Sequence, residues 1–225
     1  MTKVETFMAG LGPASRGFYF VVRAAVAGFT RAFTRMSIEG RHHIPATGPF
    51  VLAPVHRSNM DTPIVSCLTR RRMRFMGKDS LWKGGPVSWV LSSLGGFPVA
   101  RGTADREALR RCVSVLASGE PLVLFPEGER KSGPVVQPLF NGATYVALKA
   151  GVPIVPVGIG GSERVMPRGA KFIYPHKVHM IVGAPITAPT NRSGRVPREA
   201  VTMATAELHS TLQRLFDEAR ARAGG

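Results

Sequence analysis

Four strand-length runs, PFVLAPV (49–55), LVLF (122–125), VPIVPVGI (152–159) and KVHMIVG (177–183), alternate with segments whose apolar residues recur at helical spacing. Continuous apolar runs of this length mark strands covered on both faces, and such strands belong to sheets with helices packed on each side. The intervening helices are readable from their ends. Thr62 to Leu68 has Asp61 as N-cap and Pro63 in its first turn; Pro86 to Leu94 stops at Gly95. Thr103 caps a helix with Leu109, Cys112, Val113 and Leu116 at 3.6 spacing, ending at Gly119. Gly142 to Ala150 is a short helix, and Pro197 opens a final one with Val201, Ala204, Leu208, Leu212, Leu215 and Phe216 on one side. Shorter strands are expected at 36–40 and 74–77, and a surface loop at 184–198. The alternation specifies an α/β fold, a largely parallel mixed sheet flanked by helices.

Residues 15–36 precede this pattern and read as an amphipathic helix. Arg16 and Arg23 stack seven residues apart, with Thr30, Arg31, Thr34 and Arg35 on or beside the same face; Phe18, Tyr19, Val22, Val26, Phe29 and Phe33 lie largely opposite. Basic residues on one side and aromatics on the other describe a helix lying in a membrane interface. The pattern also fits a helix docking its apolar side on its own core. The expected organisation is an N-terminal amphipathic membrane-interface helix over 1–36 and an α/β domain over 37–225. The start of the chain lacks the pattern of a secretory signal, and its apolar stretches fall short of the roughly 20 residues that span a bilayer.

Lys and Arg number 30 against 14 Asp and Glu, a formal charge of +16. Such an excess calls for an anionic partner: nucleic acid, an anionic membrane, or phosphorylated substrates. No zinc-finger spacing or aromatic RNA-binding pattern is present, and the basic residues are spread over many segments, which weighs against a nucleic-acid module. The run Arg70-Arg71-Arg72-Met73-Arg74 is a second candidate contact for anionic lipid. Two cysteines, Cys67 and Cys112, exclude a disulfide scaffold and a four-thiolate zinc site, and fit a reducing, cytosol-facing compartment.

Four stretches carry candidate chemistry. In VHRSNMD (55–61), His56 follows a buried strand and Asp61 begins the next helix. Across a strand-to-helix turn the two side chains can meet, which makes an imidazole base oriented by a carboxylate. Asp61 could also serve only as a cap. No serine elbow, zinc-protease motif or phosphate-binding glycine loop is present, so the attacking hydroxyl is expected from the substrate. In GGFPVARG (95–102), Arg101 sits in a turn bracketed by glycines and suits a phosphate. In FPEGER (125–130), Glu127 lies at the carboxyl end of a strand and can accept from a polyol hydroxyl, while Arg130 can hold phosphate. GVPIVPVGI (151–159) holds no acid–base group and reads as packing.

Together and in this order, the four stretches resemble the motifs of the glycerolipid acyltransferase family that includes the PlsC-type 1-acylglycerol-3-phosphate O-acyltransferases. The resemblance runs from about Ile38 to Gly183. It implies that His56 is the general base and Asp61 its orienting acid. It also implies that Arg101, Glu127, Gly128, Arg130 and Lys78 bind the acceptor. The implied reaction moves a fatty acyl group from acyl-CoA or acyl carrier protein to the free hydroxyl of lysophosphatidic acid, giving phosphatidic acid. Another acceptor (glycerol 3-phosphate, a lysophospholipid or a glycolipid) is the alternative. No metal and no cofactor beyond the acyl donor are implied. The expected partner is an anionic membrane, reached through Arg16, Phe18, Arg23, Phe29, Arg31 and Phe33, with the enzyme peripheral or monotopic on the cytoplasmic face. Val55 and Glu129 depart from the family pattern, which commonly has Asn and Thr there.

Overall fold

A computed structural model describes residues 12–82, 84–99, 106–187 and 196–224. The N-terminal helix α1 (Pro13–Thr34) leads into β1 (Ser37–Glu39). There follow β2 (Val51–Pro54), α2 (Asp61–Ser66), β3 (Arg74–Lys78), α3 (Gly85–Ser93), β4 (Gly96–Val99), α4 (Arg106–Ala117) and β5 (Leu122–Val123). The chain continues through α5 (Gly142–Ala150), β6 (Ile154–Gly160), α6 (Ser162–Val165), β7 (His179–Val182) and α7 (Arg198–Ala223). The strands form one seven-stranded sheet in the order β1-β7-β6-β2-β5-β3-β4. Every pairing is parallel except β6 with β7. The mixed, largely parallel α/β architecture expected from the alternation is thus the one observed. The segment read as a glycine-bracketed turn at 95–102 begins instead with strand β4, because Phe97, Pro98 and Val99 extend alongside β3.

The core forms where the apolar runs predict. All of β2 and β6 is buried, and Phe50, Leu52, Val55, Leu122, Val155 and Val157 are fully inaccessible. The longest helix, α7, crosses β6 in backbone contact. A Cβ on Gly158 would sit 2.3 Å from the Leu215 carbonyl oxygen, and one on Gly160 would sit 2.2 Å from that of Ala219. Only glycine allows this approach, which lets Leu208, Leu212 and Phe216 reach the sheet.

Helix α1 is amphipathic, and most of its expected apolar face turns toward the domain: Tyr19 is buried, Phe18, Val22, Val26 and Phe33 are half-buried, and Phe29 is exposed. Tyr19, Ala27, Thr30 and Thr34 are buried against the domain. Phe20, Val21 and Phe29 are exposed, with Ala24, Ala25, Gly28 and Ala32 between them. Of the two central arginines of α1, Arg23 is half-buried and Arg31 exposed; Arg23 donates to the Thr69 carbonyl and Arg31 to that of Cys67. The physical reason is the end of α2, whose carbonyls lack helical partners and accept these guanidinium N–H groups. Phe18 packs on Trp89 of α3, ring centroids 5.0 Å apart, and Phe33 lies half-buried against the core. Arg16 remains exposed.

Beyond Arg70, the basic run 70–74 turns inward, contrary to a lipid-facing reading of the whole run. Arg71 donates to Pro45 and Gly48 carbonyls, Arg72 to those of Ser92 and Ser93, and buried Arg74 pairs with Glu120. Arg70 alone of these arginines stays exposed.

Candidate active site

Strands β2 and β5 are neighbours, and after β5 the chain crosses to the far side of β2 to form β6. This is a topological switch point, where the carboxyl ends of parallel strands open a crevice. His56 lies two residues past β2, and the 125–130 turn follows β5.

His56 Nδ1 is 2.9 Å from Asp61 Oδ2. A carboxylate only accepts, so Nδ1 carries the proton and Nε2 presents its lone pair. Asp61 is fully buried, and its Oδ2 also accepts the backbone N–H of Arg57 at 2.6 Å and of Ser58 at 2.7 Å. The residue expected as an N-cap is instead the first residue of α2, its carboxylate reaching back to pin the turn that carries the imidazole. The ring stacks on Phe125, centroids 4.0 Å apart and planes 23° apart, leaving the His56 side chain 17% exposed.

The His56 backbone is clamped at both ends. Its N–H donates to Glu127 Oε2 at 3.0 Å, and its carbonyl accepts from the Lys131 N–H at 2.9 Å and from Arg57 Nη1 at 3.1 Å. Glu127 therefore differs from the expected polyol ligand. It is fully buried; its Oε2 also accepts from Arg57 Nη1 at 2.6 Å, and its Oε1 accepts from the Gln137 N–H at 3.1 Å. Both oxygens are spent inside the protein. Arg57 was not singled out from the sequence, although it is the hub. Its guanidinium lies 4.7 Å from the centroid of the Phe216 ring on α7 and donates to the Val135 carbonyl. The available signal was a glutamate closing an apolar run, which demands a buried cation; nothing in the sequence picked Arg57 from the other arginines.

The same geometry occupies the backbone N–H groups around the start of α2, where donors to an oxyanion could otherwise lie. The N–H groups of Arg57 and Ser58 face Asp61, that of Met60 donates to Ser58 Oγ, and that of Asp61 to the Ser58 carbonyl. None of these four is available to a tetrahedral intermediate.

Around the rim, Gly128 has φ +72°, and a Cβ there would lie 2.7 Å from the Phe140 ring, so the tight turn itself requires glycine. Arg130 is half-buried at the end of this turn, and its guanidinium has no hydrogen bond or ion pair among the described residues. The neighbouring Glu129 carboxyl is held below its usual range by a hydrogen bond from Lys131. Lys78 ends β3. Arg101 lies outside the described residues. No group of three or more His, Cys, Asp or Glu side chains among the described residues is placed to hold a metal ion.

The profile of the Acyltransferase family matches residues 35–160, more than half of the chain and all of this site except its α7 side. The chloroplastic 1-acyl-sn-glycerol-3-phosphate acyltransferase of Brassica napus is 29% identical over 158 residues, covering 68% of this chain and 46% of that protein. The chain thus spans less than half the length of that relative. The 1-acyl-sn-glycerol-3-phosphate acyltransferase of Bacillus subtilis is 24% identical over 187 residues, covering 80% of this chain and 91% of that one. Among solved structures, the 1-acyl-sn-glycerophosphate (LPA) acyltransferase PlsC of Thermotoga maritima superposes with a TM-score of 0.74 at 26% identity, over 94% of this chain and 85% of that one.

Proposed function

The chain belongs to the acyltransferase family, and on that premise we propose that it acylates the free hydroxyl of 1-acylglycerol 3-phosphate, giving phosphatidic acid. The observation that carries this reading is the 2.9 Å His56–Asp61 hydrogen bond, which fixes the lone pair of a partly exposed imidazole at the carboxyl end of the parallel strands. His56 Nε2 takes the hydroxyl proton as the oxygen attacks the thioester carbonyl. The tetrahedral intermediate then expels a thiolate, which recovers that proton from the imidazolium. Buried Asp61 stabilises the cation formed in between. A positioned base of this kind contributes on the order of 10²–10⁴-fold. Arg130, with Arg101 and Lys78 as the family resemblance implies, meets the acceptor phosphate. The acyl donor is a thioester of CoA or of acyl carrier protein.

The acceptor is an amphiphile, and α1 supports a peripheral seat on the membrane that holds it. Phe20, Val21 and Phe29 would enter the acyl boundary, with Phe18 and Arg16 beside them. No helix among the described residues is long and apolar enough to cross a membrane. We place the enzyme on the cytoplasmic face. The test is purified protein with labelled acyl-CoA, labelled acyl carrier protein and a panel of lipid alcohols, the products resolved by position. Labelled phosphatidic acid from lysophosphatidic acid supports the assignment. Transfer only to glycerol 3-phosphate or to a lysophospholipid without a free phosphate changes the acceptor.

A further inference from the structure

Three guanidinium groups from two separate elements converge on the end of α2. Arg23 of α1 donates through Nε to the Thr69 carbonyl at 2.9 Å. Arg31, two turns further along α1, donates through Nη2 to the Cys67 carbonyl at 3.0 Å. Arg41, in the helical turn that follows β1, donates through Nε to the Leu68 carbonyl at 2.8 Å and through Nη2 to Cys67. Arg70 follows these carbonyls directly and is exposed.

Capping alone does not account for the charge gathered here. A helix C-terminus carries about half a negative charge, and α2 is only six residues long. Three arginines against it leave roughly +2.5, and Arg70 adds one more. Among the described residues no carboxylate pairs with any of the four. The electrostatics agree: partial desolvation depresses the Arg41 guanidinium pKa first, and repulsion from Arg31 and Arg23 adds to the depression. Elsewhere in the molecule the buried arginines Arg57 and Arg74 each have an acid partner. This cluster is a cationic site short of an anion.

Its donors and its place in the fold indicate which anion. With the carbonyl bonds made, Nη1 of Arg23, Arg31 and Arg41 remains without a partner among the described residues. Arg31, Arg41 and Arg70 are exposed, so a ligand can reach them. Guanidinium N–H pairs match the oxygens of a phosphate. At about 100° per residue, Arg31 lies at the margin of the outward arc formed by Phe20, Ala24, Gly28, Val21, Ala32, Ala25 and Phe29. Cations along the margin of an apolar helix face lie at headgroup depth when that face enters a bilayer.

We propose that Arg23, Arg31, Arg41 and Arg70 form a binding site for the phosphodiester group of an anionic phospholipid, distinct from the crevice at His56. The proposal rests on the membrane seat described above and names the chemistry that holds it in one orientation. The lipid phosphate bridges α1 to the end of α2 and couples membrane attachment to the element that carries Asp61.

The experiment is flotation of the purified protein with phosphatidylcholine vesicles and with vesicles that also contain phosphatidylglycerol, over a salt series. Wild type is expected to prefer the anionic vesicles. Arg31→Gln and Arg70→Gln together should lose that preference, about five-fold in affinity per guanidinium, while binding to neutral vesicles stays. Arg70→Gln alone breaks no described hydrogen bond, so it keeps the test open if the pair of changes impairs folding. Phe20→Ser with Phe29→Ser should weaken binding to both vesicle types. Equal affinity of wild type for neutral and anionic vesicles overturns the phosphate site and leaves the membrane seat standing. Failure to float with either vesicle overturns the membrane seat itself. A thermal shift with inorganic phosphate, lost in Arg70→Gln and unaccompanied by any preference for phosphatidylglycerol, would assign the site to free phosphate and overturn the lipid source.

Discussion

Replacing Glu127 with Gln separates a residue that holds the base in place from one that touches substrate. The Arg57–Glu127 pair is 2.6 Å long and both side chains are 1% exposed or less. Neutralising one member leaves the other charge buried and unpaired, at a cost of about 3–5 kcal/mol. For a domain of this length each kcal/mol is worth roughly 2–4 °C, so Glu127→Gln should lower the melting temperature by about 6–20 °C. The catalytic effect comes through the backbone, because the same carboxylate accepts the His56 N–H. A displacement of about 1 Å at a reacting group costs roughly 10²-fold. We expect kcat to fall by that order with little change in KM for the acceptor, measured at a temperature where the variant is folded. Adding Arg57→Met removes the orphaned cation and should restore part of the stability, a coupling of about 2–4 kcal/mol in a double-mutant cycle. An unchanged kcat with a raised acceptor KM would show that the carboxylate touches substrate after all. Strict additivity in the cycle would show that the pair is not coupled.

Three other outcomes follow from the same geometry. Asp61→Asn should reduce kcat by about 10³–10⁴-fold with the fold retained, since the amide no longer selects the Nδ1–H tautomer; steady-state turnover checks this. Gly158→Ala puts a Cβ 2.3 Å from the Leu215 carbonyl and should cost about 1–3 kcal/mol or more by forcing α7 off β6, read as a lowered melting temperature. The third concerns His179, which is buried on β7 between Ser37 and Glu39 of the edge strand β1, and burial lowers its pKa from the usual 6.5. The unfolded chain therefore binds the proton more readily, so this group's contribution is complete above about pH 6.5 and is lost as pH falls from there toward the folded value. Urea midpoints should drop across that window, and His179→Gln should flatten the drop.

The strands at 49–55, 122–125, 152–159 and 177–183 were legible because a strand covered on both faces must be apolar throughout, and β2, β6 and β7 are buried along their whole length. His56 and Asp61 were legible because a strand-to-helix turn brings residues five apart together, which the 2.9 Å contact bears out. Periodicity divides α1 into two faces but does not say which face the domain takes. Long-range contacts decide it: the carbonyls of Thr69 and Cys67 hold Arg23 and Arg31, Phe18, Tyr19, Val22, Val26 and Phe33 turn toward the domain, and Phe20, Val21 and Phe29 stay exposed. The same long-range accounting hid the partners of Glu127. A glutamate closing an apolar run signals a buried cation, but that cation, Arg57, is 70 positions away in sequence. Hydrogen-bond demand across distant segments leaves little trace in composition or spacing.

The central claim is that the His56 imidazole takes the proton from the acceptor hydroxyl. Transfer of labelled acyl chains to lysophosphatidic acid by His56→Ala, with circular dichroism and vesicle flotation confirming a folded, membrane-competent protein, tests it most directly. The account predicts labelled phosphatidic acid at or near background with binding intact. Wild-type turnover in that variant would contradict it.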